Sequence, residues 1–372
     1  MKLLIAGDFA PRERLAKQVE ERKFSEIFSN ELVDIIKSAD YSLVNFESPI
    51  VEDVYKPITK CGPNLRCSSK AADAIKYAGF SAVTMANNHI LDFGKEGLNK
   101  SIECCKKNGI DVVGVGNNLK EAEKVLYVER RGKKLAIINC CEHEFSIATD
   151  TTAGANPLNP IRQYYSIKEA KNNADYVLVI VHGGHEHYQL PSPRMQETYR
   201  FFIDAGADVV VNHHQHCYSG YEIYNGKPIF YGLGNFCFDE GSNTTKIWQE
   251  GYMVELNLED NIEFKIYPYK QYGEKATIDL LGKDAFNKKL NELNSIISNP
   301  YLLKEAYDKY CTESNVSHFL EPIRNRWILA AQNRGLFPSF VNKKWIPLLS
   351  NVVFCEAHRD KLIHYLNRKI NE

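Results

Sequence analysis

The chain has 372 residues, enough to bury a large core in one domain or two. Lys plus Arg number 46 and Asp plus Glu 47, a net charge of -1, so no overall field favours nucleic acid or an anionic membrane. Apolar runs reach about six residues against the ~20 needed to cross a bilayer, so no membrane span is expected.

The opening run Lys2 to Ala6 is too short for a secretory apolar core and flows into Gly7-Asp8 as a strand. The ten cysteines include the adjacent pairs Cys104-Cys105 and Cys140-Cys141, which a disulfide framework rarely uses. No Cys-x-x-Cys occurs. The expectation is reduced thiols and a cytoplasmic location.

In chain order, the first strand ends at Asp8, which Gly7 places on a tight turn. A polar helix is predicted over 24–37, then a second strand, 41–47, closing on Asn45 and Glu47, which alternation puts on one face. Residues 51–69 form an irregular loop long enough to shape substrate access, with Arg66 its candidate anion contact. A helix over 69–77, capped by Ser69 and stopped by Gly79, leads to strand 81–85 and the polar run Ala86-Asn-Asn-His89 with Asp92. Helix 97–108 and strand 110–114 follow. Gly114-x-Gly116 lacks the third glycine of a dinucleotide loop and carries no weight.

Residues 125–129 and 134–139 read as an antiparallel hairpin, and the Thr-, Asn- and Pro-rich stretch 146–163 as loop. Tyr176 to Val181 is a continuous apolar run, a strand buried on both faces that delivers His182-Gly-Gly-His185-Glu186-His187. A helix over 191–205, stopped by Gly206, leads to the buried strand 207–211 and Asn212-His-His214-Gln-His216. Asn225-Gly226 marks a type I′ hairpin, and strands 252–258 and 262–268 complete the sheets. From about 280 the pattern turns helical, without a chemical motif of its own. His318, His358 and His364 are isolated there and read as surface or packing residues.

In a parallel α/β sheet the strand carboxyl ends share a rim. That brings together Asp8, Glu47, Asn88, His89, Asp92, His182, His185, Glu186, His214 and His216. Imidazoles with carboxylates and an amide oxygen suit borderline divalent ions such as Mn, Zn or Fe. A carboxylate bridging two such ions would let them activate a water and clamp a phosphoryl or carbonyl oxygen. No Gly-x-Ser-x-Gly elbow supports a serine hydrolase, and the lack of a basic stripe disfavours a nuclease.

These segments, with Asn45-Phe-Glu47-Ser-Pro49 and Gly226-Lys-Pro-Ile-Phe-Tyr-Gly-Leu-Gly-Asn-Phe236, resemble over residues 1 to about 240 the bacterial CapA family of capsule and poly-γ-glutamate synthesis proteins. The resemblance implies a metallophosphoesterase-type four-layer α/β/β/α sandwich over 1–275 and leaves 276–372 as a C-terminal helical extension. It implies two divalent ions, one on Asp8 and His216, the other on Asn88, His182 and His214, with Glu47 between them. His89 is implied as proton donor, Asp92 as its orienter, Glu186 as a further ligand or base; Arg66 and His185 are the candidate substrate contacts. The Asp-x-His start of metallophosphoesterases is here Asp8-Phe-Ala10, which removes one imidazole. The expected substrate is an anionic small molecule or polymer. The helices are expected to pack on the body or face a second copy or a synthesis-complex partner. The alternative is a non-catalytic protein that keeps the crevice to bind polymer or partner.

Overall fold

The computed structural model describes residues 1–241, 245–259, 261–273, 275–313, 334 and 345–371. Its strands are β1 (Lys2–Phe9), β2 (Tyr41–Phe46), β3 (Ala82–Thr84), β4 (Asp111–Val113), β5 (Val115–Gly116), β6 (Leu126–Arg130), β7 (Lys133–Cys141) and β8 (Gly154–Ala155). They continue as β9 (Tyr176–His182), β10 (Val209–His213), β11 (Tyr221–Tyr224), β12 (Lys227–Phe230), β13 (Asn235–Cys237), β14 (Glu250–Asn257), β15 (Glu263–Gln271) and β16 (Ile278–Leu280).

Two sheets form the inner layers. One runs β16-β15-β14-β1-β2-β3-β4 with β13 beside β1, and the other β11-β12-β10-β9-β7-β6. Strand alternation splits the core: Leu3 and Ile5 face Val179 and Val210 of the opposite sheet, while Leu4 and Ala6 face the outer helices. Helices Asn30–Ser38, Lys70–Ala78 and Gly94–Lys107 cover the first sheet through Ile36, Ile75 and Leu98. Helices Pro160–Asn173 and Pro193–Ala205 cover the second through Ile167 and Phe202. The four-layer α/β/β/α sandwich is therefore observed.

β1, β2 and β3 run parallel, as do β7, β9 and β10. Gly7 is not a turn residue. The strand runs through it, and a Cβ there would sit 1.8 Å from the Gly234 carbonyl oxygen. Its bare backbone lets β13 close on β1, with Asp8 and Asn235 in register.

Several local expectations change. The single helix over 24–37 is two, Phe24–Ile27 and Asn30–Ser38, because Phe28 turns extended to bridge Ile278. Helix Glu13–Glu20 precedes them, and the stretch 146–163, read as loop, ends in a helix, Pro160–Asn173, with Asn159 as its cap and Pro160 in its first turn. Ser69 is already helical (φ -58, ψ -22) and makes no side-chain cap. Asn225 (φ 49) and Gly226 (φ 75) make the expected I′ hairpin turn.

β16 pairs with β15, so the sheet runs past 275 to Leu280. Beyond it come helices Lys283–Ile297, Pro300–Glu313, Trp345–Phe354 and Glu356–Asn371. The first buries Phe286, Leu290, Leu293 and Ile297 in the core between the sheets and their cover. His318 lies outside the described residues. All ten cysteines carry free thiols. Among the described residues no helix is long and apolar enough to cross a membrane.

Candidate metal centre

The strand ends converge as the topology requires. Asp8 ends β1, Glu47 follows β2, Asn88 follows β3, His182 ends β9, and His214 and His216 follow β10. All six are buried. Five of them form two donor groups, Asp8-Glu47-His216 and Glu47-His182-His214, whose ligand atoms within each group lie within 4.8 Å of one another. Glu47 belongs to both.

In the second group His182 Nε2 stands 3.1 Å from His214 Nδ1, 3.1 Å from Asn88 Oδ1 and 3.6 Å from Glu47 Oε1. Four donors at about 2.0–2.1 Å from a zinc-like ion are separated by about 3.3 Å along each tetrahedral edge. The side chains are thus spaced for one cation. In the first group His216 Nδ1 is 3.7 Å from Asp8 Oδ2, and its Nε2 is 3.7 Å from Glu47 Oε1.

Neither Glu47 oxygen has a hydrogen-bond partner among the described residues, although the carboxylate is fully buried. Burial, then the charges of Asp8 and Glu186, push its pKa well up. A buried carboxylate left without donors is costly, and a cation on each side relieves that cost. The donor set therefore fits divalent metal, with Glu47 common to both groups. Burial drives the His182 pKa far down and that of His216 to about 4, against the pull of Glu186 and Asp8 on His216. Both rings are neutral near pH 7, the form a ligand needs. His214 (φ 93) and His216 (φ 55) are left-handed, at a cost of about 1–3 kcal/mol each, as is common where geometry serves a site.

Asn235 Oδ1 accepts the His216 Nδ1 proton at 2.9 Å, aiming Nε2 at Glu47. The Asn45 amide donates to Asp8 Oδ1 at 2.8 Å and lies 3.2 Å from His182 Nδ1. His213, in register with His182, places Nδ1 3.3 Å from Asp8 Oδ1. Burial raises the Asp8 pKa, but His213, His216 and Asn45 together bring it below the usual carboxylate range. Sequence reading assigned none of these three supports a role. Only the Asn-x-Glu alternation flagged Asn45. Ala10 is buried among apolar neighbours and offers no donor.

His89 Nδ1 donates to Asp92 Oδ2 at 2.7 Å. Asp92 also accepts the Leu65 amide at 2.6 Å and pairs with Lys60, whose side chain is buried. Lys60 was not foreseen, because nothing in a solvated-looking loop marks a lysine as buried. Two adjoining hollows of about 480 and 400 Å³ open over the cluster, and His89, Glu186, His187 and Pro63 border both. Burial raises the Glu186 pKa, yet the imidazoles of His216, His214, His187 and His89 outweigh it and hold the group at about 2.

Arg66 does not reach the crevice: it pairs with Asp53 at 2.9 Å and borders a separate hollow with Lys17 and Glu20. Its guanidinium lies 5.7 Å over the Phe93 ring. His185 borders the second hollow, but its ring stacks on Tyr307 and its Nε2 is 3.1 Å from the Tyr307 hydroxyl. His358, read as isolated, borders that same hollow with Lys361.

A four-layer sandwich carrying imidazole, carboxylate and amide donors on the rim shared by two parallel strand sets defines an α/β/β/α protein with a candidate metal centre. A family profile described as bacterial capsule synthesis protein PGA_cap matches residues 2–240, and the chain belongs to that family. It is 30% identical over 325 residues to the capsule biosynthesis protein CapA of Bacillus anthracis, covering 84% of this chain and 78% of that protein. It is 31% identical over 282 residues to the PGA biosynthesis protein CapA of Bacillus subtilis strain 168, covering 74% and 73%. Among solved structures, a phosphatase from Mycoplasma pneumoniae aligns with 72% of this chain and 92% of its own, at 16% identity and a TM-score of 0.44.

Proposed function

We propose that the protein is a divalent-metal-dependent hydrolase or transferase that cleaves a phosphoester or acts on an anionic polymer, or its precursor, in capsule or poly-γ-glutamate synthesis. The observation that carries this is the buried Glu47 carboxylate, which has no hydrogen bond to either oxygen among the described residues and is shared by two donor groups. Asp8, Glu47 and His216 would hold one ion, and Glu47, Asn88, His182 and His214 the other. Bound there, such ions supply an activated water and neutralise charge on a reacting oxygen.

The chain's own groups do the rest. His89, its Nδ1 fixed by Asp92, has Nε2 left to deliver a proton to the leaving oxygen; Lys60 holds Asp92 in place. Burial keeps the His89 pKa below its ordinary value despite Asp92, so the ring, once protonated, gives its proton up readily. Glu186, ionised at the rim with its pKa at about 2, would add negative charge facing the cations rather than take up a proton. With Mn²⁺ or Zn²⁺ the purified protein should hydrolyse a generic aryl phosphoester, and His182→Ala should bring the rate to background. Full activity after metal stripping would overturn this reading.

A second reading, binding of polymer or partner without catalysis, is favoured by the apolar Ala10, which leaves the group Asp8-Glu47-His216 one imidazole short. Fewer than one bound ion per chain after loading with excess Mn²⁺ would select it.

A further inference from the structure

Beside the crevice, where the extension meets the body, a third set of donors converges. Glu144 lies just past β7, Cys355 sits between helices Trp345–Phe354 and Glu356–Asn371, and His358 is in the first turn of the latter. Their ligand atoms lie within 4.8 Å of one another, and the Cys355 thiol donates to Glu144 Oε1 at 3.5 Å. Among the described residues this is the one such group without Glu47.

We propose that Glu144, Cys355 and His358 form a separate binding site for a single borderline ion of the Zn²⁺ class, which pins the C-terminal helices to the body. Sulfur at about 2.3 Å and oxygen at about 2.1 Å from one such ion are about 3.6 Å apart, and the observed separation is 3.5 Å. Cys355, the residue before helix Glu356–Asn371, and His358 in that helix's first turn are three residues apart in the chain, near enough to serve as a two-point ligand. Their frame is fixed from both sides. His143 Nδ1 meets Glu356 Oε1 at 2.6 Å, and Arg194 Nε meets Asp360 Oδ2 at 2.6 Å. Binding replaces the thiol proton: the S–H bond breaks, the proton leaves to solvent, and the sulfur keeps the pair that bonds the metal. One thiolate, one carboxylate and a neutral imidazole then balance a doubly charged cation. Thiolate ligation also selects against the harder ions an oxygen-rich site accepts.

Cobalt(II) loading of the full-length protein tests this, because a thiolate bound to Co²⁺ gives a near-ultraviolet charge-transfer band that nitrogen and oxygen donors do not. Wild type should show the band. Cys355→Ala should lose it together with one ion per chain, and His358→Ala and Glu144→Gln should weaken it. Glu47→Gln should keep the band while losing crevice ions, so this site stands or falls apart from the crevice reading. No band in wild type, or an unchanged band in Cys355→Ala, overturns the proposal. The wild-type spectrum decides even where a variant fails to fold.

Discussion

The α/β body and the helical extension reach the same crevice by different means. In the body, six donors arrive at one rim because parallel strands end there, and backbone pairing fixes their positions: His182 opposite His213, Asp8 opposite Asn235. In the extension, His358 and Lys361 arrive on one helix that side-chain ion pairs tie down, Arg194 to Asp360 and His143 to Glu356. Chemistry that needs fixed separations belongs on the first kind of support. Contacts that select a substrate can sit on the second.

Breaking the tether should give the largest effect on stability. Arg194 joins the buried Glu142, at 2.6 Å, to Asp360 of the extension. Arg194→Ala leaves Glu142 buried and unpaired, and a loss of about 3–5 kcal/mol is expected in denaturant unfolding. A change below about 1 kcal/mol would mean the extension is held by other means.

Lys361 sharpens the comparison at the level of function. It borders the hollow that contains His89 and His214, its ammonium lies 4.5 Å over the Tyr310 ring, and burial lowers its pKa. Losing one charge-assisted contact, Lys361→Ala should raise KM for an anionic substrate on the order of tenfold and leave kcat unchanged. An equal fall in kcat would place Lys361 in the chemistry and erase the division between the two regions.

The smallest effect is a pH dependence of the tether. The bond to Glu356 raises the His143 pKa above 6.5; burial would raise the Glu356 pKa, but the bonds from His143 bring it below 4.5. The His143 contribution is whole below pH 6.5 and is lost as pH climbs through the raised value. The Glu356 contribution is whole above pH 4.5 and is lost as pH falls through the depressed one. Protection against hydrogen exchange in the helix Glu356–Asn371, taken relative to the intrinsic rate at each pH, should therefore be greatest between about pH 4.5 and 6.5, and His143→Gln should flatten the profile. A maximum elsewhere contradicts the pairing.

The same division explains what the sequence made legible. Apolar runs such as Tyr176 to Val181 end in polar residues, so strand and rim could be read together, and Asp8, Glu47, His182, His214 and His216 lie close to one another there. Helix Pro160–Asn173 was hidden by its weak apolar face: it buries only Gln163, Ile167 and Ala170. Arg66 was misplaced because a loop gives no alternation to say which way a side chain points. Lys60 and His358 were missed because their surroundings come from residues far away in the chain, Asp92 and Glu144 among them. Local pattern reports which face a residue takes, and not what a distant segment brings to meet it.

The central claim is that Glu47 stands between two divalent cations. Anomalous diffraction from crystals grown with Mn²⁺ and phosphate tests it most directly. Two peaks about 3.5–4 Å apart are predicted, both touching Glu47, one also near Asp8 and His216, the other near Asn88, His182 and His214. A map without peaks among these side chains, or with one ion that Glu47 does not touch, contradicts it.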